Sequence, residues 1–406
     1  MLPKINAPKK TIYLDYAAAT PLDLSVKKLM DPYWSQEFGN PASLYDQGRR
    51  AQAALHKARS GVAELIGAKP EEIIFTAGGT ESINLAIFGV ARGLLHNQKA
   101  HFITSSIEHH AVLRSFEQLE RDGHVVTYLG VNPEGFVSVQ ELEKAIRPDT
   151  VLVSIMYANN EIGTIEPIGA VGKLLQKINQ YRTQNGLSRI LFHSDACQAA
   201  GALDTSVAHL GVDLLTVNGS KVYGPKQSGF LYVRSGTKLS PLVFGGGQEQ
   251  NLRSGTENVP GTIGLAESFR LVQKNLKKEN LRLRKLRDFL ISQLLKKIPG
   301  AIVNGPMGDT EDKKSRLPNN INISIPGVDG EALILYLNGY NIAASTGSAC
   351  SSVSQDPSHV LKALGRSDAE IAGSVRLTLG KNTTKQELEY VLAVVPGLVE
   401  ELKRIG

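Results

Sequence analysis

Ile190-Leu191-Phe192-His193-Ser194-Asp195-Ala196-Cys197-Gln198 is an apolar run that ends in a carboxylate. A second apolar run, 214–217, leads into Asn218-Gly219-Ser220-Lys221-Val222-Tyr223-Gly224-Pro225-Lys226. Similar β-rich runs lie upstream at 72–75, 101–104, 125–129 and 151–156. Each is followed by a helical pattern, at 81–91, 111–119, 139–146 and 168–181. Strands alternating with helices predict an α/β fold, a mainly parallel sheet with both faces covered. The runs at 190–193, 214–217 and 230–233 follow one another without a full helix between them, so part of the sheet is expected to be antiparallel. Past Pro260 the pattern changes to a long charged helix over 264–298, a strand at 322–325, a helix at 330–337 and a final helix at 385–404. This predicts a large domain over 17–263 and a smaller α+β domain from 1–16 and 264–406, with the long helix able to span both.

The bulk properties fit a globular protein. The chain has 406 residues, 42% hydrophobic and 21% charged, so disorder is not expected. Its net charge of +6 is spread among interleaved acids and bases, which reads as a solvated surface rather than a nucleic-acid stripe. Two cysteines, Cys197 and Cys350, exclude a disulfide scaffold and a four-cysteine zinc site. His109, His110 and His193 show none of the usual metal-ligand spacings, and no metal site is expected apart from cluster ligation through Cys350. No signal peptide or membrane-length apolar run is present, so a cytoplasmic location with reduced thiols is expected.

The chemistry centres on Asp195 and Lys221. A Lys amine in a tight Gly/Pro-rich loop forms a Schiff base with an aldehyde, and a strand-end Asp keeps a pyridine nitrogen protonated; together they point to pyridoxal 5′-phosphate (PLP). Thr76-Ala77-Gly78-Gly79-Thr80-Glu81-Ser82 joins a strand to a helix and offers Gly79, Thr80 and free helix amides to a phosphate. His109, just past a strand end, is a surface histidine or a ring stacked on the cofactor and available for proton transfer. Asn160 follows a buried strand and either contacts the cofactor or caps a turn. Arg376, inside an apolar strand, needs an anion, either a structural carboxylate or a substrate carboxylate. Cys350 sits among Gly, Ser and Thr with little apolar sequence to bury it, which suits a reactive thiol on a solvent-reachable loop; Cys197 reads as structural.

Taken in order, Tyr13-Leu14-Asp15-Tyr16, Phe38-Gly39-Asn40-Pro41-Ala42-Ser43, the 75–82 segment, 159–163, the Lys221 segment, Arg253-Ser254-Gly255-Thr256 and Gly347-Ser348-Ala349-Cys350 resemble the cysteine desulfurases. These are PLP enzymes of the class V aminotransferase fold, and the likeness is to the iron–sulfur-cluster and nitrogenase-maturation branch. The resemblance implies PLP fold type I, with a seven-stranded large-domain sheet, a smaller C-terminal domain carrying the Cys loop, and a homodimer. It implies that Lys221 carries the cofactor and moves protons, Asp195 pairs with the ring nitrogen, and His109 stacks on the ring. Gln198 and Asn160 would contact the 3′ oxygen. Gly79 and Thr80, with Thr256 from the neighbouring subunit, would hold the phosphate. Arg376 and Asn40 would bind the substrate carboxylate, and Cys350 would take the substrate sulfur as a persulfide. L-cysteine would then yield L-alanine, and the sulfur would pass to an acceptor protein serving iron–sulfur assembly or tRNA thiolation.

The pattern departs from the family at three places. Asn218 and Ser220 stand where many relatives have Ser and His as phosphate ligands, and both are expected to keep donating hydrogen bonds there. Gln227 stands where Gly is common, and the chain stops soon after its final helix, without the longer tail some relatives use to dock a scaffold. The alternatives are a selenocysteine lyase or another class V PLP aminotransferase and, in a different class, a weakly active PLP-binding sulfur carrier or scaffold subunit.

Overall fold

The structure, a computed structural model, describes residues 7–95, 98–307, 315–346 and 357–405. Its strands in chain order are β1 (Ile12–Tyr13), β2 (Ile73–Thr76), β3 (His101–Ser105), β4 (Val125–Leu129), β5 (Thr150–Ser154), β6 (Leu191–Asp195), β7 (Leu214–Asn218), β8 (Gly229–Val233), β9 (Ile302–Val303), β10 (Asn320–Ser324), β11 (Ile342–Ala343) and β12 (Ser374–Thr378). Seven of them form one sheet in the order β2-β8-β7-β6-β5-β3-β4. From β7 to β4 every pairing is parallel, whereas β8 runs antiparallel to both β7 and β2. The antiparallel part lies where the sequence lacks a crossover helix, because only a short connection separates β7 from β8.

Neighbouring residues on each strand enter opposite cores. Ile103, Val153, Phe192 and Leu215 pack on one face. Phe102, Leu152, Leu191 and Leu214 pack on the other. This period-two alternation of large apolar groups is what burial on both faces requires.

The helix Val259–Lys297 ties this sheet to a second core. Its early residues Leu265 and Phe269 join the first core, whereas Leu283, Leu290, Ile291 and Leu294 pack with the antiparallel sheet β12-β10-β9 and the final helix Lys385–Ile405. Ile12 and Leu14 also belong to this second core, and β1 pairs with β11. The helix Asp46–Ile66 is not evident from the sequence pattern. Its contact with the long helix uses Ala51 and Ala58 against Val259 and Ile263, so close backbone approach replaces a stripe of large side chains.

Parallel pairing places the C-terminal ends of β3, β5, β6 and β7 along one edge of the sheet. The end of β2 and the start of β8 lie there too, since those strands are antiparallel partners. Residues just past strand ends therefore meet at this edge.

Candidate active site

A cavity of about 200 Å³ opens at that edge. Its walls include Gly79, Thr80, His109, Asn160, Asp195, Gln198, Asn218, Lys221 and Arg376, so nine of the residues singled out in the sequence converge. Ala17, Ile83, Met156, Ala158 and Cys197 complete it. Ser220, Asn40 and Thr256 are not in its lining, and Cys350 lies outside the described residues.

Lys221 ends a 3-10 turn, Gly219–Lys221, that directly follows β7. Asn218 caps the turn: its side-chain oxygen accepts the Ser220 amide and hydroxyl, both at 3.1 Å. The Lys221 amine donates to the carbonyls of Ala17 at 2.8 Å and Ala18 at 2.7 Å. Gln198 donates to the same Ala17 carbonyl at 2.9 Å, so the turn after Tyr16 anchors both side chains. Gln227, close behind, has φ 57°, a left-handed conformation that explains why glycine suits this position.

Asp195 ends β6 almost fully buried, and its Oδ1 accepts the Cys197 amide at 2.9 Å. Burial pushes the Cys197 thiol pKa well up, and Asp195 adds to the shift, which makes this thiol inert as the sequence suggested. Cys197 also accounts for Gly79. A Cβ at residue 79 would stand 2.8 Å from the Cys197 Sγ. Gly79→Val is therefore expected to displace the helix start and cut cofactor retention by an order of magnitude or more, and Cys197→Ala is expected to restore part of it. Cofactor content of the purified variants checks this.

Gly79 also begins the helix Gly79–Leu95. The amides of Gly79, Thr80 and Glu81 have no intrahelical partner and take no hydrogen bond among the described residues. Glu81 accepts the Ala77 amide and pairs with Arg253 at 2.9 Å, tying the loop 245–256, which opens with three consecutive glycines, to this helix end. The same loop is held at Glu249, which pairs with Arg59 and accepts the Phe75 amide.

His109 is the N-cap of the helix His110–Arg121, its Nδ1 accepting the Ala111 amide at 3.1 Å. The neutral ring accordingly carries its proton on Nε2. Burial lowers its pKa below the ordinary histidine value, against the attraction of Asp195. The His110 and His359 rings lie tilted at 54° to each other, their centroids 4.8 Å apart. His193 is committed inside the sheet, bonded to Ser154 and Thr216 at 2.8 Å and 3.0 Å. Among the described residues no group of three His, Cys, Asp or Glu side chains is arranged to hold a metal.

Glu108, fully buried beside His109, was not singled out in the sequence. One oxygen accepts the Ser105 hydroxyl at 2.6 Å and the Met156 amide at 2.8 Å, joining the loops that carry His109 and Asn160; the other has no partner among the described residues. Burial pushes its pKa up to about 8. The folded state thus keeps a proton that the unfolded chain releases near pH ~4.3. The stability this group contributes is full below that value and is lost as pH rises towards about 8. The melting temperature of Glu108→Gln relative to the native chain is expected to rise between pH 5 and pH 8; parallel melting curves would contradict this.

Arg376, on β12, is 1% exposed. Its Nη2 meets Asp15 at 2.8 Å and its Nη1 meets the Asn160 carbonyl at 3.0 Å. Of the two anions the sequence left open, a structural carboxylate is present, while the side chain also lines the cavity.

A class-V aminotransferase family model matches residues 12–391. The chain belongs to that family. It is 48% identical to a cysteine desulfurase IscS of Dictyoglomus turgidum, over 98% of this chain and 97% of that protein. It is 45% identical to a cysteine desulfurase IscS of Methanosarcina thermophila, over 99% and 95%. A solved NifS-like protein superposes with a TM-score of 0.85 at 35% identity, covering 97% of this chain and 99% of that one. A structure of SspA in complex with cysteine gives a TM-score of 0.76 at 36% identity, covering 91% and 99%. Within the family, the chain is one of the cysteine desulfurases, which are PLP-dependent enzymes.

Proposed function

We propose that this enzyme removes sulfur from L-cysteine, leaving L-alanine, and passes the sulfur through Cys350 as a persulfide to a protein acceptor. The observation that carries this reading is the meeting of Lys221, Asp195, His109 and the free end of the helix Gly79–Leu95 in one cavity, with Arg376 in its wall. The donor set fits PLP: an amine for the aldehyde, a carboxylate for the ring nitrogen, and unbonded helix amides for the phosphate. When bound, PLP supplies an electron sink for charge developing at the substrate Cα.

The residues divide the remaining work. Asp195 holds the proton on the ring nitrogen. The Lys221 amine accepts and returns the Cα proton. His109 covers the ring face and carries a proton on Nε2. Gly79 and Thr80 hold the phosphate with their amides, while Gln198 and Asn160 reach the 3′ oxygen. Asn218 lines the phosphate end and fixes the Lys221 turn; Ser220, bonded to Asn218, acts there only through it. Arg376 takes the substrate carboxylate. The Cys350 thiolate attacks the substrate sulfur, forming an S–S bond as the Cβ–S bond breaks. Cysteine and a thiol thereby become alanine and a persulfide, with no external oxidant.

Thr256 and Asn40 are exposed and outside the cavity of a single chain. Trp34, Phe38, Leu44 and Phe244 are exposed large apolar residues on the same or adjoining segments. These features support a homodimer in which a second copy covers the apolar face and brings Thr256 to the phosphate end. The acceptor is an iron–sulfur scaffold protein or a tRNA-thiolating enzyme, and a reducing cytoplasm would keep the Cys350 thiol free. The test is to load the purified chain with PLP, record the yellow Schiff-base band, and measure sulfide and alanine from L-cysteine with reductant. Equal yields of the two products are expected; a loaded enzyme that forms neither would overturn the reading. Light scattering reports the dimer.

A further inference from the structure

The guanidinium assigned to the substrate carboxylate already holds a carboxylate. Asp15 lies just beyond β1 and forms a bridge to Thr378, two residues past Arg376 on β12. Its Oδ1 is 2.8 Å from the Arg376 Nη2, and the Arg376 side chain is only 2% accessible. The Asn160 carbonyl takes the other terminal nitrogen, so the guanidinium is held from two sides. Arg376 lines the cavity, whereas Asp15 is not part of its wall. A second carboxylate nearby, Glu161, is buried and accepts the Ser358 hydroxyl at 2.6 Å.

A buried guanidinium without a counter-ion is unfavourable and holds the first anion that reaches it tightly. Two carboxylates sharing one guanidinium repel each other, so each weakens the other's binding, and by linkage the weakening is mutual. We infer that Asp15 is a positioning residue that sets the affinity of the site for amino-acid carboxylates. It orients Arg376 and, by neutralising it, keeps both L-cysteine and the L-alanine product from being held too tightly. The inference rests on the proposed role of Arg376.

Asp15→Asn separates the two effects, because the amide keeps an oxygen facing Arg376 while the charge is removed. KM for L-cysteine and the inhibition constant of L-alanine are expected to fall together by about 5-fold or more, the low end of ordinary coupling between sites. The kcat should change less, and the Schiff-base band should be unaltered. Asp15→Glu retains the charge and is expected to keep near-native constants. Asp15→Ser removes the same charge and gives the same reading if the Asn variant does not fold. Unchanged or raised constants in the uncharged variants, beside raised constants in Arg376→Ala, overturn the inference alone. Constants unchanged in Arg376→Ala refute the carboxylate-binding role itself, and the inference with it.

Discussion

Lys221→Ala is expected to abolish the Schiff-base band and to lower the release of alanine and sulfide from L-cysteine by about a thousandfold or more. Proton transfer by a placed side chain is alone worth roughly 10²–10⁴ in rate, and the covalent tether is lost as well. The substitution is otherwise mild. The 3-10 turn is capped by Asn218, not by the lysine, and the Lys221 amine donates to the Ala17 and Ala18 carbonyls at 2.8 Å and 2.7 Å. Those carbonyls turn to water in the cavity once the amine is gone. Lys221→Arg keeps donors near them but cannot form the Schiff base, so it should be as inactive as the alanine variant. Retention of the band in either variant would refute the lysine assignment. Melting curves close to the native chain's are expected for both and exclude unfolding as the cause.

Cys350→Ala is expected to keep the band and eliminate persulfide transfer to an acceptor. Cys350 itself lies outside the described residues, yet the chain on either side of it is fixed to Arg376 in the cavity wall and to residues adjoining that wall. Ser345 bridges to Arg376 before it. After it, Ser358 bonds Glu161, and His359 bonds the Glu108 carbonyl. Covalent reach alone keeps a residue four positions past Thr346 within about 14 Å of it. The thiol is expected to reach the cavity from there, whereas the other thiol, Cys197, is buried in the cavity wall with its pKa well raised. Mass spectrometry after L-cysteine treatment should find the added sulfur on Cys350 and none on Cys197. Unimpaired transfer in Cys350→Ala would remove Cys350 from the reaction.

These two expectations draw on different levels of information. Alternating β-rich and helical runs were sufficient to place the parallel sheet and the ends of its strands, because two-face burial writes large apolar residues at consecutive positions. Asp195, Lys221 and the Gly79 segment were legible for the same reason: each stands at or within three residues of a strand end, where a parallel sheet gathers its ligands. The helix Asp46–Ile66 was not, since only Leu55, Val62 and Ile66 are large among its buried residues, the others there being Gly48 and alanines, too small to mark a stripe. Glu108 was missed because a glutamate between strand and helix looks like surface, and only the fold shows it fully buried with one oxygen unpaired among the described residues. The bond from the Ser220 hydroxyl to Asn218 is a local exchange between nearby polar side chains that residue type does not reveal.

By itself the sequence determined the fold class and named the residues proposed to carry PLP and to accept sulfur, because backbone periodicity and functional-group chemistry are properties of local sequence. The tertiary structure decided which of these groups share a cavity, and that Arg376 has Asp15 as its partner. Asp15 and Arg376 are separated by 361 positions and meet only through packing of the second core around β1 and β12. Contacts of that range depend on how whole elements stack, and no local pattern records them.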